Sequence, residues 1–297
     1  MDQQFTFPTF NQFLHNEKRK IKVLREYIRY QYRKRWCCTQ CDQLVNYLEK
    51  HRHWKLLFRQ DYFRLNALLN IYCDKSFNKK RRLEAIINNF DTMEKLFSTP
   101  LCLKLLNNEE IVLSTLTDDL RLCLTINDID PTEGFWAINL KDNENRIIYN
   151  ATFSFLNTKQ LLISSIQGSK EENAVTLMKT VTKKMHGIRP MFMLVIAAKQ
   201  ISQLFDLELF GIPHSNQAKY RWNDRSKLLF NYDKFWEENN ATLNDNYWHI
   251  PTDLQLKSLE EIASNKRSMY RKRYAMLEKL QQDIQDCFPH IAVNRMG

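Results

Sequence analysis

Residues 120–168 read LRLCLTINDIDPTEGFWAINLKDNENRIIYNATFSFLNTKQLLISSIQG, and they carry the clearest secondary-structure signal in this 297-residue chain. Apolar and polar side chains alternate in runs with the two-residue period of half-buried strands. Turn-rich segments at 128–134 and 141–145 separate the runs. The pattern predicts an antiparallel meander of four strands, Leu120–Ile126, Phe135–Leu140, Ile147–Phe155 and Leu161–Ile166.

Upstream of the meander the apolar residues follow a helical period. From residue 17 to about 106 they recur every three or four positions, and Pro and Gly are nearly absent. Four or five short helices are expected, with apolar positions that include Ile21, Leu24, Tyr27, Ile28, Leu44, Phe63, Leu68, Ile86 and Phe90. The predicted fold class is α+β, with a basic helical N-terminal region at 1–108 and a mostly antiparallel sheet with backing helices at 109–297.

Downstream the sequence predicts helices at about 173–186 and 190–205, a strand at 207–212, an aromatic-rich irregular segment at 219–251, and a last helix from near Ser264 to about Cys287. Pro190 suits the first turn of a helix because it lacks an amide hydrogen. Ser264 is a reasonable helix cap. The residues of the last helix expected to face inward are Met269, Leu277, Leu280 and Ile284.

The net charge of +10 is concentrated in one part of the chain. Residues 17–82 contain 19 Lys and Arg against 6 Asp and Glu, a net +13, so the remainder sums to −3. A basic helical region suits phosphate-rich partners, either an anionic membrane surface or nucleic acid. Aromatic residues such as Tyr32 and Trp36 could stack on bases. No helix-turn-helix pattern accompanies them, which disfavours nucleic acid.

No stretch of the chain has the layout of a secretory signal or a transmembrane helix. Residues 1–22 lack an apolar run ahead of the charged run 17–20. The longest apolar run, Met191 to Ala198, has eight residues, where a spanning helix needs about 20. The sequence therefore predicts a soluble, cytoplasmic protein.

The seven Cys residues are expected to be free thiols, since disulfides are rare in the cytoplasm. Cys37, Cys38 and Cys41 form the one cluster worth testing as a metal site, with His51 and His53 nearby. A structural zinc site needs four ligands, and no second Cys pair follows. Packing within a helical layer is favoured, and no metal site is predicted.

His186-Gly187-Ile188-Arg189-Pro190 joins the two helices that follow the meander. Free amides at the start of the second helix, beside Arg189, would form an anion site. His186 is the candidate for proton transfer, because it titrates near neutrality and lies in a loop. The alternative is a tight turn alone, in which Gly187 ends one helix and Pro190 begins the next.

Residues 231–238 form a dense aromatic and acidic motif that includes Tyr232, Asp233 and Trp236. Such residues can build the wall of a ligand site. The favoured interpretation is that they anchor a long loop onto the sheet.

Basic side chains crowd the first two turns of the last helix, namely Lys266, Arg267, Arg271, Lys272 and Arg273, with Tyr270 among them. Like charges near the positive end of a helix destabilise it unless a negative group lies opposite. Either the carboxylates of Glu260 and Glu261 are that group, or a bound phosphate, lipid headgroup or CoA is.

Four motifs thus occur in order along the chain: Ile166-Gln167-Gly168, His186 to Pro190, Asn231 to Glu238, and Lys266 to Tyr274. In this order and at these spacings the chain resembles the VirK-like (VirK/YbjX-like) family of bacterial proteins over roughly residues 18–285. The resemblance implies a cytoplasmic protein, peripheral at the inner membrane, that supports the cell envelope. Surface display of virulence factors and tolerance of cationic antimicrobial peptides are the properties implied, while the family has no agreed biochemical activity.

The chain departs from the family pattern at two places. Asn239-Asn240 replaces a Gly-Gly pair, and Asn also adopts left-handed backbone angles, so the turn is expected to survive. Ala263 replaces a Pro before the last helix. The candidate ligand- or anion-binding residues are Gln167, Gly168, Gly187, Arg189, Tyr232, Asp233, Trp236, Lys266, Arg267, Tyr270, Arg271 and Arg273.

The meander, the following helix and the next strand also resemble the acetyltransferase-like (GNAT) fold. There the acyl-CoA pyrophosphate rests on amides at the start of the helix before the fifth strand, which here begins at Pro190. The Gly-rich phosphate loop of that family is missing, and the helix at 173–186 is additional. Nucleotide-binding, metalloprotease and serine-hydrolase motifs are also absent from the sequence.

Two functions follow as the leading hypotheses, and nucleic-acid binding by the basic helices is the third and least favoured. The first is an accessory protein of the envelope that binds an anionic ligand, an anionic membrane surface or an envelope-related protein partner through its basic helices. The alternative is a GNAT-like acyltransferase that uses an acyl-CoA donor on an envelope-related substrate.

Overall fold

The computed structural model describes residues 4–14, 19–169, 174–220 and 230–289. Within these ranges a helical N-terminal layer leads into an eight-stranded sheet with helices packed on it, which confirms the predicted α+β class. None of the helices in these ranges is both long enough and apolar enough to cross a membrane.

The N-terminal layer consists of α1 (Phe10–Phe13), α2 (Lys20–Trp36), α3 (Cys38–Lys50), α4 (Lys55–Gln60), α5 (Asn66–Leu69) and α6 (Lys79–Leu106). The expectation of only short helices is wrong for α6, whose 28 residues form two helical segments joined at a kink. Ser98 has non-helical backbone angles (φ 65°, ψ 153°) and separates the two segments. Pro100 lies in the first turn of the second segment, where the amide hydrogen that proline lacks would have no helical partner.

The sheet begins with five antiparallel strands, β1 (Ile111–Thr117), β2 (Leu120–Ile126), β3 (Trp136–Asp142), β4 (Ile147–Asn157) and β5 (Gln160–Gly168). Strands β2 to β5 are the predicted meander. The sequence does not predict β1, because two register shifts against β2 interrupt the alternation of its side chains.

The second half of the sheet is reached by a helical crossover, which a parallel strand pair requires. The crossover consists of α7 (Ala174–Lys184) and α8 (Pro190–Phe205). The elements that follow are β6 (Glu208–Gly211), α9 (Tyr232–Glu238), β7 (Thr242–Asn244) and β8 (Tyr247–Ile250). Strand β6 runs parallel to β5, and β8 lies between β6 and β7. The prediction that 219–251 is irregular is wrong for α9 and the β7–β8 hairpin, and residues 221–229 lie outside the described ranges.

The last helix, α10 (Arg267–Cys287), packs against β1. Ser264 does not cap it, because Ser264 to Lys266 form a 3-10 turn without a side-chain cap. Leu277, Leu280 and Ile284 are buried as expected, whereas Met269 is exposed.

The hydrophobic core continues from the helical layer into the sheet. Trp54 stacks on Phe90 of α6 with ring centroids 4.8 Å apart, and it lies 5.9 Å from Trp136 of β3. Asn89 of α6 accepts a hydrogen bond from the Trp136 indole nitrogen at 3.1 Å. The helical layer therefore packs directly on the sheet, while the division of the chain at residue 108 stays a prediction.

Candidate functional site

The motif at residues 186–190 forms the predicted turn between α7 and α8. His186 (φ 52°) and Gly187 (φ 85°) both adopt left-handed backbone angles, and the Gly187 amide donates to the Thr182 carbonyl at 2.8 Å. α8 then begins at Pro190, as expected. The conformation at residue 187 requires glycine, because a side chain at that φ would be strained.

Arg273 of α10 holds this turn in place. Its guanidinium Nε and Nη2 both donate to the His186 carbonyl oxygen, at 2.9 and 2.7 Å. A Cβ atom at Gly187 would lie 2.7 Å from Arg273 Nη2, and the same guanidinium lies 4.2 Å from the centroid of the Tyr270 ring. The structure thus brings His186, Gly187, Tyr270 and Arg273 together, with Arg273 bonded to backbone.

Burial, followed by the nearby cations Lys272 and Arg273, lowers the pKa of His186 below its usual value. The imidazole is therefore neutral near pH 7 and chemically able to accept a proton. Within the described residues no carboxylate lies within ion-pair distance of His186 to orient it. The geometry provides a base without the orienting partner that a catalytic histidine usually has.

Arg189 links the start of α8 to the end of α9. Its Nη2 lies 2.7 Å from the Glu238 carboxylate, and its guanidinium lies 4.3 Å from the Phe192 ring centroid. The pair is solvent-exposed on both sides, so it contributes little to stability. An incoming anion would have to compete with Glu238 for Arg189.

Tyr232 and Trp236 are buried against the sheet. The Ile166 amide of β5 donates to the Tyr232 hydroxyl at 3.0 Å, beyond the point where β5 and β6 cease to pair. The Trp236 indole donates to the Ile212 carbonyl at 2.8 Å. A Cβ atom at Gly211 would lie 2.4 Å from the Trp236 ring, so Gly211 allows the close approach.

Asp233 completes this attachment of α9 to the sheet. Its Oδ1 accepts hydrogen bonds from the His214 amide at 2.9 Å and from the Trp248 indole at 2.8 Å. The contacts of Tyr232, Asp233 and Trp236 are those of an anchor, the favoured interpretation of this motif. A ligand-binding role for the three residues stays a prediction.

Gln167 belongs to a buried polar cluster that the sequence does not reveal. Its Nε2 donates to Glu133 at 2.5 Å and to Ser165 Oγ at 2.9 Å. Gln217 donates to the other Glu133 oxygen at 2.8 Å, and Lys219 Nζ lies 3.2 Å from it. Burial raises the pKa of Glu133, while Lys219 and Gln217 oppose that shift. No pattern in the sequence marks Glu133, because the nearest of these side-chain partners, Gln167, is 34 residues away.

Gly168 follows Gln167 at the end of β5 and is covered by an aromatic ring. A Cβ atom there would lie 2.7 Å from the ring of Tyr149 in β4. Gly168 therefore serves close packing between the ends of the two strands.

The basic residues of α10 divide into two groups. Arg267 donates to the Ile262 carbonyl at 3.0 Å and to the Glu260 carbonyl at 3.4 Å, so it binds the backbone of the preceding loop. Lys266 and Arg271 are exposed and have no ion-pair partner among the described residues. The expected pairing with the carboxylates of Glu260 and Glu261 is not observed.

The cysteine cluster is part of the helical packing. Cys37 and Cys41 are buried and Cys38 is exposed. Burial raises the pKa of Cys41 to about 12, which keeps its thiol protonated, whereas metal binding needs the thiolate. In the part of the chain that the structure describes, no group of three or more His, Cys, Asp or Glu is placed to hold a metal.

Helix α2 exposes a row of large apolar side chains, here called the apolar stripe: Ile21, Leu24, Ile28, Tyr32 and Trp36, with exposed fractions of 87, 60, 59, 70 and 51%. They recur at helical spacing along one side of α2. The opposite side is attached to the protein through Tyr30, whose hydroxyl donates to the Pro8 carbonyl. The helix itself is as predicted, but the pattern alone does not reveal that its apolar side lies outside the core.

Comparisons with known proteins show which family and which relatives the chain matches. Residues 19–286 match the family described as a protein of unknown function (DUF535). An uncharacterized protein of Haemophilus influenzae is 48% identical over 284 residues, which cover 95% of this chain and 97% of that protein. The uncharacterized protein YbjX of Escherichia coli is 26% identical over 262 residues, 82% of this chain and 78% of that protein. Membrane protein LapB of Mannheimia haemolytica is 36% identical over 152 residues, 50% of this chain and 65% of that protein. No solved structure matches the chain.

The fold and the matches define an α+β protein with bacterial relatives, several of them described as uncharacterized. The chain belongs to the DUF535 family, whose members include YbjX, and this confirms the VirK/YbjX-like resemblance.

Proposed function

We propose that the protein is an accessory protein of the cell envelope that docks on an anionic membrane surface through α2. The observation that supports this function is the apolar stripe, which lies on the outside of a helix with seven basic residues and one acidic residue. An amphipathic helix of this kind lies in the plane of a membrane interface, with its apolar side in the headgroup region.

Charge and apolar area act together in this arrangement. Arg25 and Arg29 share one carboxylate, Glu26, at 3.2 and 2.9 Å, and Arg35 is exposed on the same helix. Each Lys or Arg near an anionic surface contributes about 1 kcal/mol of attraction. Transfer of the apolar stripe from water into the membrane interface adds a favourable free energy of about 25 cal/mol per Å² of buried apolar area.

The description of one relative supports a role at a membrane. The LapB relative is described as a membrane protein, and its match covers half of this chain. The VirK-like resemblance implies peripheral association with the inner membrane, virulence-related surface display and tolerance of antimicrobial peptides. The proposal extends these properties to this chain and assigns the contact to α2.

Vesicle flotation tests the proposal. The purified protein should float with vesicles that contain phosphatidylglycerol and remain behind with vesicles of phosphatidylcholine alone. Binding should weaken as the salt concentration rises, because exposed charges are screened. The double variant Leu24→Ser/Ile28→Ser should lose at least about tenfold in binding. Leu256→Ser, which changes an exposed leucine in a loop, is the matched control.

Two results would overturn docking through α2. One is unchanged flotation of the Leu24→Ser/Ile28→Ser variant. The other is a stable dimer in solution that Leu24→Ser dissociates, since the stripe would then be covered by a second copy of the chain.

Acyl transfer from an acyl-CoA donor is a second candidate, favoured by the course of the chain through the sheet. The meander leads through α7 and α8 to β6, which is parallel to β5, as an acetyltransferase-like fold would have it. Two observations weigh against it. Tyr232 fills the edge of β5 past β6, and four cavities among the described residues are lined by residues other than 186–190.

Thermal unfolding with acetyl-CoA and longer acyl-CoAs tests this alternative. A ligand at 100 times its Kd adds about 2.7 kcal/mol to the free energy of unfolding. A shift that disappears in Arg189→Ala and Arg267→Ala would establish the donor site and make His186 the next residue to change. If none of the acyl-CoAs causes a shift, the acyltransferase function is rejected.

A further inference from the structure

A cavity of about 610 Å³ lies against the side of α2 that carries Lys22, Glu26, Arg29, Tyr30 and Arg33, next to the side with the apolar stripe. It is bounded by α2, by α5 and by short segments around residues 130–132 and 218–219. The side chains that matter for its chemistry are the cations Lys22, Arg29, Arg33 and Lys219, the carboxylates Glu26 and Asp130, and the apolar groups of Phe13, Leu14, Phe63 and Leu69.

Arg33 is the unusual member of this lining. It is half-buried, and among the described residues its guanidinium has no hydrogen-bond or ion-pair partner. Burial and the neighbouring cations Arg29 and Arg82 lower its pKa, although Glu26 opposes that shift. Half-buried cations are normally paired, so an anion beside Arg33 would remove an electrostatic cost.

The carboxylates of the cavity accept hydrogen bonds from donors other than Arg33. Glu26 accepts hydrogen bonds from Arg25 at 3.2 Å and from Arg29 at 2.9 Å. Asp130 accepts from the Thr132 amide at 2.9 Å. Arg33 therefore keeps its donors available to a ligand.

We propose that this cavity binds the phosphate headgroup of an anionic phospholipid, with Arg33 as the phosphate ligand. The planar guanidinium fork matches phosphate oxygens with two parallel hydrogen bonds. The apolar lining accommodates the glycerol backbone and the first carbons of the acyl chains. The choice of a lipid as the source of the phosphate rests on the proposed membrane docking by the other side of α2.

Calorimetric titration of the full chain with dihexanoyl phosphatidylglycerol, below its aggregation concentration, tests the site. One molecule should bind per chain, and Arg33→Gln should weaken binding at least tenfold. Arg35→Gln, which removes an exposed arginine two residues further along α2, should leave this binding unchanged. Unfolding midpoints of both variants should equal that of the unmodified protein. Should Arg33→Gln not fold, Arg29→Gln is the second variant, with a several-fold loss expected.

Two further probes separate the sources of the phosphate. Dihexanoyl phosphatidylcholine, of equal chain length and no net charge, should bind at least tenfold more weakly than the phosphatidylglycerol. Inorganic pyrophosphate should also bind more weakly, because it lacks the apolar part. Equal or tighter binding of pyrophosphate, or equal affinity of Arg33→Gln and the unmodified protein, would overturn the lipid site.

Failure of this site and failure of membrane docking give different results. Arg35→Gln and Leu24→Ser/Ile28→Ser should reduce vesicle flotation but keep the binding of the short-chain lipid. Flotation without any binding of the short-chain lipid would overturn the cavity proposal and leave the docking proposal standing.

Discussion

The region of the four sequence motifs, residues 166–274, here called the motif-bearing half, differs from helix α2 in what its aromatic, apolar and basic side chains contact. In the motif-bearing half, Trp236 and Arg273 donate hydrogen bonds to backbone carbonyls and hold elements together. In α2, Ile28 faces solvent and Arg33 has no partner among the described residues. Trp236 and Arg273 therefore stabilise the fold, whereas the side chains of Ile28 and Arg33 in α2 are available to a ligand.

The largest effect on the stability of the protein is expected from Trp236→Ala. The change removes a fully buried ring and its hydrogen bond to Ile212, which should lower the free energy of unfolding by about 3–5 kcal/mol. Urea unfolding measures the loss, and Glu237→Ala, at an exposed neighbour, should stay within about 0.5 kcal/mol. A loss below about 1 kcal/mol for Trp236→Ala would contradict the anchoring role.

Arg273→Ala should cause the second-largest loss of unfolding free energy. It removes two charge-assisted hydrogen bonds to the His186 carbonyl, which should cost about 1.5–3 kcal/mol of unfolding free energy. Arg271→Ala is the control, since Arg271 is exposed on the same helix and should be close to neutral. If the two variants are equally stable, Arg273 does not hold the turn.

Protonation of His186 should have a smaller effect on the free energy of unfolding. Its folded-state pKa is lowered, so on acidification the unfolded chain takes up the proton first, and stability falls as the pH drops through about 6.5. His186→Gln should therefore flatten the dependence of stability on pH between about 7 and 5. In an NMR titration Lys272→Ala should raise the pKa of His186, and Lys266→Ala is its control. A His186 pKa at or above the ordinary value would disprove the arrangement.

The smallest effect on stability is expected in the apolar stripe. Leu24→Ser should change the unfolding free energy by no more than about 0.5 kcal/mol, because Leu24 is largely exposed. Leu44→Ser, at a buried position of α3, should cost several times more. A large destabilisation by Leu24→Ser would show that the stripe packs against protein and would remove the contrast between the two regions.

Local patterns predicted much of the architecture. The alternating runs placed β2 at its observed bounds, and Pro190 placed the start of α8. The turn after α9 survives the replacement of glycine, since Asn240 adopts φ 59°. Ala263 has φ −51°, close to the angle that a proline would fix, so the backbone angle at this position is one that a proline could adopt.

Local patterns did not predict the elements and contacts that depend on residues far apart in the sequence. Strand β1 has register shifts that only its pairing with β2 explains. The Glu133 cluster joins residues from a turn, from β5 and from a loop near residue 217. No local period or spacing encodes such contacts, so the candidate site residues were proposed from local chemistry and motif resemblance alone.

The sequence by itself determined the α+β class, the meander, the helical N-terminal layer and the family. It did so because side-chain periodicity and motif order are properties of neighbouring residues. The tertiary structure alone decided which amphipathic faces are covered: it buries Leu44 of α3 and leaves Ile28 of α2 in solvent. The reason is that a helical period states only that one side of a helix is apolar, while burial depends on whether another element lies opposite that side.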